Sequence, residues 1–188
     1  MLKKIAYSGT EGAFAYIVAR RLFPDELYVA FKSFTEAYDA VVSGECDKAV
    51  LPIENSYAGK VREVAGLLDQ GKLKTEGEHS FPIVQNLIGI RGSRREDIKT
   101  VISHPKALEQ CDNYIRAHGF NIIQSTNTAL AAREVMEKQD MSLAAIASME
   151  TAARYGLKVL DEEINDRDDN TTTFVVVSGN NDKKGKGE

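Results

Sequence analysis

The sequence predicts a mixed α/β protein built from two similar lobes. Short strand-like runs alternate with amphipathic helical segments along its 188 residues, which is the pattern of sheets covered by helices. An extended stretch over residues 72–90 lacks helical spacing and separates two successive sets of strands and helices. We therefore expect one lobe from each set.

Local signals mark the elements of the first set. Pro24 ends the first helix, and Ser33 with Glu36 forms the Ser-x-x-Glu pattern of a capping box that opens the second. The predicted strands are 5–8, 27–31 and 48–53, and the predicted helices are 12–23, 33–44 and 61–68. Together they complete a βαβαβα set.

The second set is bounded in the same way. Pro105 suits the first position of a helix, and Gly119 and Gly156 are placed to end helices. The predicted strands are 98–103, 120–124, 143–147, 157–160 and 173–178, and the predicted helices are 105–118, 129–137 and 148–155. The alanines of strand 143–147 are expected to serve close packing of a central strand.

These elements predict a division into two α/β subdomains and a tail. We expect residues 1–76 with 168–179 to form the first subdomain and residues 77–167 the second. The acidic run 161–169 is interpreted as a solvated loop that returns the chain to the first lobe, and 180–188 as a polar tail.

Composition and charge exclude several classes of function. The net charge is −4 without a basic stripe, which argues against a nucleic-acid partner. Cys46 and Cys111 have no other metal-ligand residues at ligand spacing, so we expect two buried reduced thiols, no metal and no cofactor. A signal peptide and a membrane-spanning apolar run are both missing from the sequence, which predicts a cytoplasmic protein without membrane partners.

Four predicted turns lead from a strand directly into a helix and carry small or polar residues. They are residues 9–12, 54–56, 103–105 and 126–128. Helix N-termini favour anions, and ligands of open α/β sheets lie at the carboxyl ends of strands, so these turns suit an anionic ligand. The alternative is that each polar side chain only caps its own helix.

Four motifs in the same order resemble the prephenate dehydratase family over residues 3–178. Residues 52–61 read PIENSYAGKV, and residues 103–111 read SHPKALEQC. Residues 144–160 match a third block, and the ending Asn-Thr-Thr at 170–172 is followed by Phe174. The sequence therefore resembles the catalytic domain of this family. We expect this chain to lack the C-terminal ACT regulatory domain that many members of the family have.

The resemblance implies a fold, a reaction and a set of site residues. The implied fold has two α/β subdomains related to type II periplasmic binding proteins, with the active site in the cleft between them. The implied reaction turns dianionic prephenate into phenylpyruvate, water and CO2 in phenylalanine biosynthesis, in a homodimer. Thr172 is the implied catalytic residue, and the implied substrate-binding residues are Asn55, Ser56, Gln110, Glu11, Gly12, Asn127, Thr128, Thr173 and Phe174.

The chemistry of this reaction suits such residue types. Loss of the ring carboxylate pushes electrons toward the departing hydroxide and gains aromaticity, so the site needs oriented donors more than a strong base. A hydrogen bond from Thr172 to the leaving oxygen supplies help of the general-acid kind. His104, within the second motif, is interpreted as a structural residue at a helix start, with a catalytic base as the alternative.

The sequence also departs from the family pattern. Thr173 replaces an arginine, Gln85 replaces a frequent histidine, Ala13 and Ala15 replace hydroxyls, and Asn127 replaces a serine. If the arginine anchors a carboxylate, its loss costs about 1.5–3 kcal/mol, unless another arginine compensates. The candidates for that compensation are Arg62, Arg91, Arg94, Arg95 and Arg167. The alternative is that Thr173 is a strand residue without a role in the site.

Three functions remain open from the sequence. The first is an active prephenate dehydratase. The second is a prephenate-binding homologue with altered chemistry, such as a decarboxylase that does not aromatise its substrate, which Thr173 and Gln85 motivate. The third is a non-catalytic module that binds anions, because two-lobed folds are widely used for ligand capture.

Overall fold

The computed structural model describes residues 1–180, which form two compact units with one sheet each. The first unit contains residues 1–11, 15–82 and the described chain from 171 onward, and the second contains residues 12–14 and 83–170. Helices cover both sheets, so the predicted mixed α/β fold is confirmed.

The strands and helices are as follows. The strands are β1 (Lys4–Ser8), β2 (Leu27–Phe31), β3 (Lys48–Asn55), β4 (Gly59–Lys60), β5 (Leu73–Pro82), β6 (Asn86–Gly89), β7 (Thr100–Ser103), β8 (Asn121–Gln124), β9 (Leu143–Ala147), β10 (Lys158–Asp161) and β11 (Thr171–Gly179). The helices are α1 (Phe14–Leu22), α2 (Phe34–Val42), α3 (Arg62–Leu68), α4 (Pro105–Glu109), α5 (Asp112–His118), α6 (Thr128–Lys138) and α7 (Met149–Tyr155), and a short 3-10 turn spans Arg95–Asp97.

The sheet of the first unit joins strands from both ends of the chain. Its order is β2-β1-β3-β11-β5, with the two-residue β4 paired to β3. The strand β1 runs parallel to β2 and β3, whereas β11 is antiparallel to both of its neighbours. One face packs against α2 and α3 through a buried cluster that includes Leu51, Val64 and Val175. The last strand of the chain therefore lies inside the first sheet.

The sheet of the second unit has the order β10-β6-β9-β7-β8. Its central strand β9 reads Leu-Ala-Ala-Ile-Ala, and all five residues are buried. One apolar cluster includes Ala144 and Ile146, and a second cluster, to which α6 contributes, includes Ala145 and Ala147. Small side chains let covering elements approach the strand closely, as the sequence predicted for these alanines.

Most predicted elements are present, and two predictions are corrected. Every predicted strand is found with its ends shifted by at most two residues. The first helix begins at Phe14 and not at Gly12, because Gly12 has a φ of 94° in the left-handed region. The single helix predicted over 105–118 is wrong, since α4 and α5 are separated by Gln110 and Cys111. There the Gln110 carbonyl accepts from the Asp166 N–H at 2.8 Å instead of continuing a helix.

The predicted helix starts are formed by side-chain caps. The Ser33 hydroxyl accepts from the Glu36 N–H at 3.1 Å, and the Ser148 hydroxyl accepts from the Thr151 N–H at 3.1 Å. The Glu36 carboxylate accepts from the Lys32 N–H at 3.0 Å, so it reaches one residue beyond the partner that a capping box requires.

The units divide at other positions than the sequence analysis proposed. Strand β5 continues past residue 76 to Pro82, because β11 pairs along it from Thr171 opposite Pro82 to Gly179 opposite Leu73. The chain changes units after residues 82 and 170 rather than after 76 and 167. Of the predicted tail 180–188, residues 181–188 lie outside the described residues.

The acidic segment 161–169 is only partly a solvated loop. Ile164 is buried, and its N–H donates to the Gln85 carbonyl at 2.9 Å. The Asn165 side chain accepts from the Gln85 N–H at 2.7 Å. Residues 164–166 are therefore bonded into the second unit, which the charge pattern of the sequence does not reveal.

The two cysteines were expected to be buried reduced thiols. Cys46 and Cys111 are both buried and free of disulfides, as predicted. Burial raises the pKa of the Cys111 thiol to about 12, so this thiol stays protonated and unreactive.

In residues 1–180, the helices are all too short or too polar to span a bilayer.

Candidate active site

Each unit contains part of the predicted site. The first unit holds Asn55, Ser56 and Thr172, all at the end of the β3–β11 pair. The second unit holds Gln110 together with the turn that begins α6.

The register between β3 and β11 places Thr172 directly opposite Asn55. The pairing is irregular at the next step, since Thr173 pairs with Glu54 but Phe174 pairs with Pro52. Ile53 is thus an extra residue on β3, and its carbonyl accepts from the Val61 N–H at 2.8 Å. This bulge ends the regular pairing and redirects the last residues of β3.

The Asn55 side chain uses both ends of its amide. Its Oδ1 accepts from the N–H groups of Tyr57 and Ala58, each at 3.0 Å, which fixes this atom as the oxygen. Its Nδ2 donates to Thr172 Oγ1 at 2.9 Å and to the Thr171 carbonyl at 3.1 Å. Because Oγ1 of Thr172 is the acceptor in this bond, its own hydroxyl proton is oriented toward a different acceptor.

Ser56 attaches the beginning of β11 to the end of β3. Its N–H donates to the Thr171 carbonyl at 2.9 Å, and its hydroxyl accepts from the Thr171 N–H at 3.0 Å. These two bonds hold the residue next to Thr172 at both of its backbone polar groups. Ser56 therefore positions Thr172 in addition to any contact it makes with a ligand.

The side chains of β11 alternate between the two faces of the sheet. Thr172 is buried on the same face as Phe174, which is 2% exposed and lies edge-on to the Phe81 ring at 6.3 Å between centroids. Phe174 was predicted to bind substrate, and the structure places its ring in the core of the first unit. It supports the strand beneath Thr172.

Thr173 lies on the face of the sheet opposite to Thr172, because neighbouring side chains of a strand alternate. Its hydroxyl is 2.8 Å from the hydroxyl of Ser80, the residue directly across from it on β5. The residue that replaces the family arginine thus makes a cross-strand hydrogen bond away from the Asn55–Thr172 pair. This arrangement agrees with the interpretation of Thr173 as a strand residue.

In the second unit, Gln110 follows α4 and is 9% exposed. Its Oε1 accepts from Nε2 of Gln85 at 3.4 Å, and its carbonyl accepts from the Asp166 N–H. At the other end of α4, His104 Nδ1 accepts from the Lys106 N–H at 3.1 Å. His104 is therefore a helix cap, as the structural interpretation predicted.

The turn residues of this unit that were predicted to bind substrate are held by a helix cap at Asn127 and by backbone conformation at Gly12. Asn127 caps α6 by accepting from the Leu130 N–H at 2.7 Å, which agrees with the capping alternative for this residue. Thr128, the first residue of α6, is 9% exposed. Gly12 has a left-handed φ, its carbonyl accepts from the Thr151 hydroxyl at 2.9 Å, and a Cβ at this position would lie 3.2 Å from Ala129 Cβ. Only glycine suits that place without strain.

The residues that support the predicted ones carry no signal of that role in the sequence. Gln85 was noted only as a departure from the family, yet it contacts Gln110. Asn165 and Asp166 fix the backbones of these two glutamines, although both residues belong to the segment interpreted as a solvated loop. Such contacts join positions more than twenty residues apart, so no local pattern indicates them. Within the described chain, His, Cys, Asp and Glu side chains form no group of three or more suited to a metal.

A comparison with protein families gives a match over nearly the whole chain. The family model described as prephenate dehydratase matches residues 5–182. The motifs quoted above and the Asn55–Thr172 pair lie within this range.

Two curated relatives and two solved structures are similar to the chain. Arogenate dehydratase/prephenate dehydratase 1 of Arabidopsis thaliana is 38% identical over 93% of this chain and 45% of its own length. The prephenate dehydratase of Methanocaldococcus jannaschii is 46% identical over 68% of this chain and 46% of its own length.

The two structures have similar folds but differently described functions. A prephenate dehydratase from Arthrobacter aurescens, in complex with L-Phe, has a TM-score of 0.86 and 28% identity over 94% of this chain and 60% of its own. GqqA, described as a quorum-quenching acylase, has a TM-score of 0.85 and 31% identity over 95% of this chain and 64% of its own. The present chain thus spans less than half the length of the two curated relatives.

The cap formed by His104 predicts a pH-dependent stability. Burial first, and the Lys106 ammonium second, lower the pKa of His104 below its ordinary value of 6.5. The neutral ring is favoured in the folded state, so its contribution is complete above the unfolded pKa and is lost as the pH falls below it. We expect the free energy of unfolding of the wild type to decrease relative to that of His104→Asn between about pH 7.5 and about pH 5.5.

Urea unfolding at a series of pH values measures this difference. Asparagine caps a helix without titrating, and the two proteins differ at no other position, so the comparison isolates His104. A difference in unfolding free energy that stays constant over this pH range would contradict the role assigned to His104.

Proposed function

Since the chain belongs to the prephenate dehydratase family, we propose that it converts prephenate to phenylpyruvate, water and CO2, a step of phenylalanine biosynthesis. The observation that supports this most is the hydrogen bond from Asn55 Nδ2 to Thr172 Oγ1. It holds a buried hydroxyl at the end of a sheet with its proton available for donation. The reaction needs such a donor.

The proposed reaction is a decarboxylation coupled to loss of the ring hydroxyl. The bond between the ring and its carboxylate breaks, and CO2 leaves. The electron pair moves through the ring and breaks the C4–O bond, so the ring becomes aromatic. The departing oxygen carries the electron pair as hydroxide and takes up a proton to become water. Negative charge thus develops on one oxygen in the transition state, and donors aimed at that oxygen accelerate the reaction.

Thr172 is proposed to donate a hydrogen bond to the departing oxygen. The residue is 8% exposed, and its hydroxyl oxygen accepts from Asn55, which polarises the O–H bond and strengthens its donation. A threonine hydroxyl is too weak an acid to transfer its proton fully. Hydrogen bonding in a partly desolvated place therefore describes its role better than general-acid catalysis.

The carboxylates of the substrate are proposed to be bound by neutral donors. Ser56 is proposed to contribute from the first unit, and Gln110 is proposed to contribute its side-chain N–H groups, since its Oε1 is already engaged by Gln85. The two side-chain N–H groups of Asn55 are engaged by Thr172 and by the Thr171 carbonyl, so Asn55 is proposed to act by orienting Thr172. The turn residues Glu11, Gly12, Asn127 and Thr128 are proposed to complete the set through their backbone N–H groups, since the side chain of Glu11 is itself an anion. Backbone N–H groups at helix starts favour anions in the same way.

Thr173 is proposed to be a tolerated departure that does not contact substrate. Its side chain lies on the face away from Thr172 and bonds to Ser80. An arginine at this position would leave the strand on that same face. The loss of the arginine therefore does not remove a donor from the side of the sheet where the reaction is proposed.

We also propose that the protein is a cytoplasmic homodimer with small dianionic molecules as its ligands. The family resemblance supports the dimer, and the net charge of −4 makes nucleic acid an unsuitable partner. Sedimentation equilibrium of the purified chain measures the oligomeric state directly, and a monomer at all concentrations would count against the dimer.

Replacement of Thr172 tests the proposed function. Thr172→Val removes the hydroxyl and keeps the shape, so we expect kcat to fall by about 100- to 1,000-fold, as for the loss of one transition-state donor. Thr172→Ser retains the hydroxyl and should keep kcat within about tenfold of the wild type, the cost of a less constrained rotamer. The rate of phenylpyruvate formation from prephenate, read as the enol absorbance in alkali, measures both.

The wild type and the far-ultraviolet circular dichroism of each variant are the controls. A folded Thr172→Val protein with wild-type kcat would refute the role of the hydroxyl. A wild type that releases CO2 without phenylpyruvate would be a decarboxylase that does not aromatise. A wild type that binds prephenate without any turnover would be a binding module.

Replacement of Thr173 tests whether the missing arginine matters. Thr173→Arg and Thr173→Val should each change kcat/KM by no more than about threefold, the range of substitutions away from a site. The same assay with prephenate measures the effect. Turnover that appears only in Thr173→Arg would mean that this chain has lost the chemistry of the family and kept its fold.

A further inference from the structure

Gln85 and Gln110 form a buried pair of side-chain amides in the second unit. Gln85 is 2% exposed and Gln110 is 9% exposed, and Nε2 of Gln85 donates to Oε1 of Gln110 at 3.4 Å. The bond engages the only acceptor of the Gln110 side chain. Both N–H groups of its Nε2 are then the groups left to meet a ligand, which suits a carboxylate.

A short backbone segment holds both glutamines in place. The Ile164 N–H donates to the Gln85 carbonyl at 2.9 Å, and the Asn165 side chain accepts from the Gln85 N–H at 2.7 Å. The next residue, Asp166, donates its N–H to the Gln110 carbonyl at 2.8 Å. Three successive residues thus fix the distance between Gln85 and Gln110.

The Asp166 side chain extends this support to α5. Its carboxylate accepts from the Asn113 N–H at 3.1 and 3.2 Å, in the first turn of the helix. The break between α4 and α5, where Gln110 lies, is therefore held from both sides. Such a break has a structural cost, and it places a polar side chain where a continuous helix would not.

The Gln85 side chain is a poor choice for stability alone. Its Oε1 is buried and has no hydrogen-bond partner in the described part of the chain. A buried acceptor without a partner is unfavourable, and an unbranched apolar side chain of similar shape would fill the same space without that cost. An amide at this position therefore indicates a function that stability does not explain.

We propose that Gln85 is a positioning residue that orients the amide of Gln110 for substrate binding. The proposal rests on the proposed function, because it takes Gln110 as a substrate contact. Gln85 acts by occupying the Gln110 oxygen, so that the nitrogen is presented as the donor. An amide free to rotate would present its oxygen to the carboxylate part of the time, and binding would weaken.

The test compares Gln85→Met with Gln85→His in the whole chain. Methionine keeps the length of the side chain and removes the donor, whereas a neutral imidazole keeps an N–H that reaches a neighbouring acceptor. Gln85→Met should raise the KM for prephenate by about five- to tenfold, the loss expected for one hydrogen bond, with kcat nearly unchanged. Gln85→His should recover most of this loss at pH 8.

Stability separates positioning from a merely structural role. The urea midpoint of Gln85→Met should stay close to that of the wild type. The substitution removes Gln85 Oε1, a buried acceptor without a partner among the described residues, and it leaves Gln110 Oε1 without its donor, so the two effects on stability oppose each other. A lower midpoint with an unchanged KM would mean that Gln85 serves only the fold and would overturn the proposal. A raised KM at an unchanged or higher midpoint supports it.

A measurement without substrate distinguishes a failure of this proposal from a failure of the proposed function. The side-chain amide of Gln110, identified in 15N–1H spectra by its loss in Gln110→Met, should be rigid in the wild type and Gln85→His but mobile in Gln85→Met. The same mobility in all three proteins would overturn the proposal even if prephenate is turned over. Absent phenylpyruvate formation by the wild type would refute the proposed function, and the amide spectra would still decide the role of Gln85.

Discussion

The arrangement of the proposed catalytic hydroxyl depends on the pairing of β11 with β3. This pairing joins residues more than a hundred positions apart and sets Thr172 opposite Asn55. The hydrogen bond between their side chains then determines which partner donates, because Asn55 Oδ1 is held by the two N–H groups of the following turn. Ser56 ties the neighbouring Thr171 at both backbone groups. The direction in which the Thr172 proton points thus follows from strand register and from the turn after β3.

Elements with local signals could be predicted from the sequence. The caps at Ser33 and Ser148 and the stops at Gly119 and Gly156 depend on residues a few positions apart, and the structure has them where expected. The alternating apolar runs gave every predicted strand to within two residues. The break of the helix at Gln110 could not be predicted, because its cause is a hydrogen bond from Asp166. Long-range partners of this kind leave no periodic trace in the sequence.

The site was predictable in its residue types but not in its geometry. The motifs indicated Asn55, Ser56, Thr172 and Gln110. They also showed that Thr173 replaces a family arginine that could bind a substrate carboxylate. Because side chains alternate along a strand, Thr173 lies on the face with Ser80, and the replaced arginine would have left the strand on that face, away from Thr172. Gln85 shows the reverse case. A residue noted only as a departure proves to be the direct neighbour of Gln110, with a buried oxygen that has no hydrogen-bond partner among residues 1–180.

A double-mutant cycle between Asn55 and Thr172 tests the central claim, that Asn55 acts on the reaction through the Thr172 hydroxyl. Asn55→Asp keeps the acceptor for the turn after β3 and cannot donate to Thr172. The measured quantity is kcat for phenylpyruvate formation by the wild type, both single variants and the double variant. We predict that Asn55→Asp lowers kcat in the wild type and has little further effect in Thr172→Val. The same factor of loss in both backgrounds would contradict the account.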